Sequence, residues 1–138
     1  MSDQAVTEES DASTEPSVVV SRIIDQPLDT VWSVLMTKKG AEALLGRGAM
    51  LGDKGQTWTA ADGRTGYIRS FHPKEQIRFW WRKNESTEAS LVDLQLSSPA
   101  ENQTEVQVEH SHLRPDLDPE YLRGRWESAL ERIESDCF

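Results

Sequence analysis

The sequence has one cysteine, Cys137, so no internal disulfide can form and a fold stapled by such bonds is excluded. No apolar run approaches the ~20 residues that a membrane-spanning helix needs, and no apolar leader opens the chain. Together these shortages set the expectation of a cytoplasmic protein without a membrane span. Positive charge is also scarce: 15 Lys and Arg stand against 24 Asp and Glu, a formal net charge of −9. Nucleic acid binding requires a basic surface that displaces counterions, and attraction to anionic lipid requires the same, so both are disfavoured. Only three histidines occur, and no HExxH, CxxC or nucleophile-elbow serine is present. Gly46-Arg47-Gly48 lacks the spacing of a phosphate loop. The sequence therefore calls for no cofactor and no metal, and names no catalytic residue.

Residues 1–17 hold Asp3, Glu8, Glu9, Asp11 and Glu15 but no Lys or Arg. Such a segment cannot bury enough apolar surface to offset its ordering entropy, so it reads as a disordered acidic tail. The remainder, 18–138, suits one domain.

The stretch from Asp118 to about Asp136 predicts one long helix. Asp118 serves as N-cap, Pro119 as first helical residue, and Glu120 sits near the positive end of the dipole. Leu122, Trp126, Ala129, Leu130, Ile133 and Cys137 recur at helical spacing and form a core-facing stripe. Cys137 is thus read as a small packing residue rather than a reactive thiol. Gly124 points nearly opposite the stripe, where a glycine costs helix propensity but no packing.

At the other end, Val18 to Asp25 is rich in strand formers. Pro27 starts a short helix with Leu28, Val31, Trp32 and Leu35 on one face. Thr37 caps a second helix that carries Ala41, Leu44 and Leu45 and stops at Gly46. Six of the eight glycines fall between Gly46 and Gly66, which predicts turns, short strands at Ala49–Leu51 and Gln56–Thr59, and a hairpin at Asp62-Gly63.

From Arg64 onward the pattern alternates. Gly66, Ile68 and Ser70 face one way, Tyr67, Arg69 and Phe71 the other. Ile77, Phe79 and Trp81 oppose Arg78, Trp80 and Arg82, which makes Trp80 a candidate for stacking under Arg78 and Arg82. Val92, Leu94 and Leu96 share a face, and a last strand from Thr104 to Leu113 aligns Val106, Val108, His110 and His112. One apolar and one polar face per strand predicts an antiparallel sheet covered on one side. The final helix is the obvious cover.

This order of elements resembles the helix-grip fold of the START-like (SRPBCC) superfamily, an α+β fold whose curved antiparallel sheet wraps a long C-terminal helix. Within it the chain is similar to the branch of the activator of the heat-shock-protein-90 ATPase, the AHSA-type domain. The resemblance rests on Ile24 to Trp32, on Gly66-Tyr67-Ile68 with His72-Pro73 and Ile77 to Trp81, and on Trp126, Leu130 and Ile133. It implies a cavity between sheet and helix that takes a small apolar or amphipathic molecule. Trp81, Leu94, Val108, His110, Trp126 and Leu130 are the candidate lining residues. The superfamily also implies two rivals. One is a co-chaperone-like interaction module of the stress response, with the acidic tail and Trp80 as handles and a chaperone as partner. The other is a polyketide-cyclase or dehydratase-like enzyme using His110 as acid–base. Read from the residues alone, His110 and His112 are one histidine hydrogen-bonded under the helix and one at the strand end.

Overall fold

The computed structural model describes residues 17–138, so nearly all of the expected acidic tail lies outside the described residues. The elements run β1 (Val18–Ile24), α1 (Leu28–Leu35), α2 (Lys38–Leu45), β2 (Thr57–Thr59), β3 (Thr65–His72), β4 (Gln76–Trp81), β5 (Ser90–Ala100), β6 (Gln103–Ser111) and α3 (Pro119–Asp136). The strands form one curved antiparallel sheet in the order β1-β6-β5-β4-β3-β2. α3 lies against β1 and α2 and closes the concave side.

Local chemistry explains the helices. Asp118 accepts a hydrogen bond from the Glu120 amide at 3.1 Å and caps α3, with Pro119 in its first turn. Thr37 does the same for α2 through Gly40, at 3.2 Å. Leu122, Trp126, Ala129, Leu130 and Ile133 are all buried, while Gly124 is exposed on the far side. Arg22 pairs with Glu134 at 2.6 Å, and Arg132 donates to the Ala43 carbonyl at 3.0 Å, so polar contacts at the rim fix where the helix sits.

Five expectations need correction. Ala49–Leu51 forms no strand; these residues lie in irregular chain, with Ala49 and Leu51 packed into the core. Between Ile68 and Ser70 the β3–β4 register slips by one residue at a bulge. Ile68 opposes Phe79, but Ser70 opposes Arg78 and Phe71 opposes Ile77. The extra residue reverses the alternation, so Phe71 turns inward and packs on Trp32 with ring centroids 5.6 Å apart. Ser70 turns away from the core, and its Oγ is buried without a hydrogen-bond partner. β6 ends at Ser111, and His112, at φ 56°, leaves the face it was expected to share with His110. Cys137 is the C-cap rather than part of the helical stripe; it is half-buried, and that burial raises its thiol pKa. The guanidinium on Trp80 belongs to Arg69 of the neighbouring strand, 5.6 Å from the ring, rather than to Arg78 or Arg82.

Gly66 has a steric reason. A Cβ there would meet the Trp80 carbonyl oxygen at 1.7 Å and the Trp58 indole nitrogen at 2.8 Å. The bare strand lets the Trp58 Nε1–H donate to that carbonyl at 3.2 Å and lets its ring stand edge-on to Phe79. Around Gly124 a Cβ would meet nothing within 4 Å. Gly66→Ala should therefore lower the unfolding free energy by about 2 kcal/mol or more, whereas Gly124→Ala should raise it by about 1 kcal/mol. Urea denaturation of both variants checks the pair.

Candidate functional site

The expected lining residues gather where α3 crosses β4, β5 and β6. Leu94, Val108, His110 and Leu130 have no exposed surface, and Trp81 and Trp126 expose 3% each. At their centre is a chain of hydrogen bonds. The Trp126 Nε1–H donates to His110 Nδ1 at 3.1 Å. An indole nitrogen can only donate, so Nδ1 is unprotonated and the imidazole proton sits on Nε2. That nitrogen donates to Ser90 Oγ at 2.7 Å, and the Ser90 hydroxyl donates to the Trp81 carbonyl at 3.1 Å. The Trp81 and Trp126 rings flank the imidazole edge-on, with centroids 5.0 and 5.9 Å away. Burial lowers the His110 pKa from 6.5 to about 3, so the ring is neutral at physiological pH.

Both nitrogens of His110 are thus engaged inside the protein, and the ring lies between two indoles. Its sequence position, near the end of an inward-facing strand row, located it correctly under the helix. Which groups it bonds depends on Ser90 and Trp126, which come from other elements.

Open space begins at the next layer outward. Trp81 forms the inner wall of a cavity of about 370 Å³ lined by Arg64, Trp81, Lys83, Asp116, Leu117, Asp118 and Tyr121. It lies between the end of the sheet and the first turn of α3. Of the six expected residues, Trp81 alone reaches it. Trp81, Leu117 and Tyr121 supply an apolar floor, and Tyr121 is 57% exposed. Arg64 and Lys83 stand at the rim. Arg64 is held by Asp62, and Lys83 lies 3.8 Å from Asp116. The Tyr121 phenol is drawn below its usual pKa, chiefly by a hydrogen bond from Arg125 and then by the charges of Arg125 and Arg64. Leu130 borders a second opening, a groove of about 440 Å³ between β1 and α3. Arg22, Glu127, Ser128 and Glu131 make that groove polar.

Sequence reasoning missed Leu117 and Tyr121. The signal available was two apolar residues beside the Asp118 cap that lie off the helix stripe. Among the described residues no cluster of His, Cys, Asp and Glu could hold a metal ion. No helix there is long and apolar enough to cross a membrane.

No family model matches the chain, and no curated protein matches it by sequence. Solved structures match it by shape. Protein MLL2253 of Mesorhizobium loti aligns with a TM-score of 0.72 at 22% identity, over 86% of this chain and 94% of its own. CalU16 of Micromonospora echinospora gives 0.72 at 20% identity, over 87% and 73%. The Aha1 dimer of Colwellia psychrerythraea gives 0.72 at 19% identity, over 88% and 96%. The architecture is the α+β helix-grip, START-like fold.

The shift in His110 carries a stability prediction with a definite sign. The unfolded chain binds a proton near pH 6.5 that the folded chain refuses until about pH 3. Its contribution is therefore complete above about 6.5 and is lost as the pH falls towards about 3, by up to about 1.4 kcal/mol per pH unit. Measured between about pH 7 and 5, above most carboxylate titrations, the unfolding free energy should decline with acid. The His110 part of that slope should vanish in His110→Phe.

Proposed function

We propose that this START-like domain binds a small apolar or amphipathic molecule in the cavity between the end of its sheet and α3, and that it belongs to the AHSA branch. The observation that carries the binding reading is the wall of Trp81, Leu117 and Tyr121 beneath a polar rim of Arg64 and Lys83. A cavity of about 370 Å³ falls within the range of small-molecule sites, roughly 300–1,000 Å³. Apolar contact supplies affinity, at about 25 cal/mol per Å² removed from water. The rim carries both signs, Arg64 and Lys83 beside Asp116 and Asp118, and so suits a polar head. His110 plays no part in acid–base chemistry in this reading; it sets the inner wall by holding Trp81 and Trp126. The branch assignment is supported by the strand, proline and helix pattern of Ile24 to Trp32, by the steric demand at Gly66, and by likeness in shape to the Aha1 dimer.

Anilinonaphthalene sulfonate, an aromatic amphiphile with an anionic head, is a suitable probe. It should bind the native chain saturably and quench tryptophan emission. Leu117→Asp and Tyr121→Ala should each weaken binding about tenfold, or 1.4 kcal/mol; Tyr121, being exposed, leaves the melting temperature unchanged. No saturable binding, or binding indifferent to both substitutions, removes the proposal.

A further inference from the structure

The convex face of the sheet is divided by charge. Over β5 and β6 it presents Asp93, Glu105 and Glu109; over β3 and β4 it presents Tyr67, Arg69, Arg78 and Trp80. Tyr67 and Trp80 have ring centroids 6.4 Å apart, and Tyr67 is 47% exposed. Arg69, the unpaired residue at the bulge after Ile68, lies over the Trp80 ring at 5.6 Å. Arg78 lies on the same face, 3.3 Å from Asp93. Trp80 beneath the Arg69 guanidinium, with Tyr67 beside it, forms an apolar floor under a cationic donor, a surface matched to a carboxylate, while Arg78 is already engaged by Asp93. In a chain of net charge −9 it is a local site of attraction for an acidic segment.

The chain carries such a segment, and the sheet register places its point of attachment. Val18 opposes His110, which opposes Val92, which opposes Phe79, which opposes Ile68; these five make one row across the sheet. The residue before Val18 begins the next row. That row runs through Ser111 and Leu91 to Trp80, with Tyr67 beyond. It contains no carboxylate. Three strand spacings of ~4.8 Å separate β1 from β4, so Trp80 lies roughly 14 Å from where the segment joins the sheet. An extended chain covers that in about five residues. Asp11, Glu9 and Glu8 stand six or more positions before Ser17 in the sequence, more chain than that span to Arg69 requires.

We propose that residues 1–17 dock in cis on the Tyr67–Arg69–Trp80 patch, covering the convex face of β3 and β4. This does not depend on the cavity reading. The tether holds the acidic segment at a high effective concentration, and the contact is made by charge, so it is reversible and screened by salt.

Paramagnetic relaxation tests this on the full chain. A nitroxide is placed on Ser10→Cys in a Cys137→Ser background, in isotope-labelled protein diluted with unlabelled protein. The Tyr67 and Arg69 amides and the Trp80 indole should lose most of their signal. Molar salt should restore it. So should a full-length variant with Asp3→Asn, Glu8→Gln, Glu9→Gln, Asp11→Asn and Glu15→Gln. Losses confined to Val18–Val20, or losses that survive both treatments, overturn the proposal. Loss seen only when spin label and isotope are on different molecules assigns the patch to a second copy and overturns the cis arrangement.

Discussion

The hydrogen-bond chain from the Trp126 indole through His110 and Ser90 to the Trp81 carbonyl joins α3, β6, β5 and β4 within one buried volume. Each link has only one workable direction, because the indole can donate but never accept. The imidazole is consequently locked in one tautomer. Each such bond contributes only about 1 kcal/mol net. Breaking one leaves a buried polar group unsatisfied, which costs more than the bond contributed. The chain therefore defines how α3 sits on the sheet more than it adds to total stability. The larger gain comes from area: burying Trp126 removes some 150–250 Å² from water, worth roughly 4–6 kcal/mol at 25 cal/mol per Å². Apolar burial pulls the helix onto the sheet, and the polar chain selects its position.

The same arrangement shapes the cavity. Ser90 anchors the Trp81 backbone, and the imidazole stands edge-on to the Trp81 ring. The far side of that indole becomes the wall of the open space. The loop before α3 supplies the opposite side, and Leu117 and Leu122 occupy the two positions of a hydrophobic staple around the Asp118 cap. One capping sequence thus starts the helix, directs the chain into it, and places an apolar side chain at the cavity.

The convex face follows from a different constraint. Trp58 can cross β3 only because Gly66 has no side chain, and its indole bonds the carbonyl of Trp80. That contact orders the β3–β4 pair from which Tyr67 and Trp80 project outward. One residue further along, the bulge reverses the facing of β3 and sends Phe71 to Trp32, while Arg69 stays on the convex side over Trp80. Core and surface are repartitioned by a single unpaired residue.

Local chemistry made much of the fold legible. A cap, a proline and a stripe at helical period act within a few residues, so α3 and α2 could be read directly, as could the inward faces of β4, β5 and β6. The START-like order of elements followed from them. The bulge could not be read, because it exists only in the register between β3 and β4. The candidate site was legible in part: the inward facing of Trp81 and the interior place of His110 came from strand alternation. Arg64, Lys83, Leu117 and Tyr121 belong to separate segments whose meeting depends on how the sheet end and the start of α3 are joined. Sequence by itself determined which residues are apolar on which side of each element, since that depends on backbone period alone. Only the tertiary structure decided which polar groups bond across elements and where space remains, because both depend on distances between segments far apart in the chain.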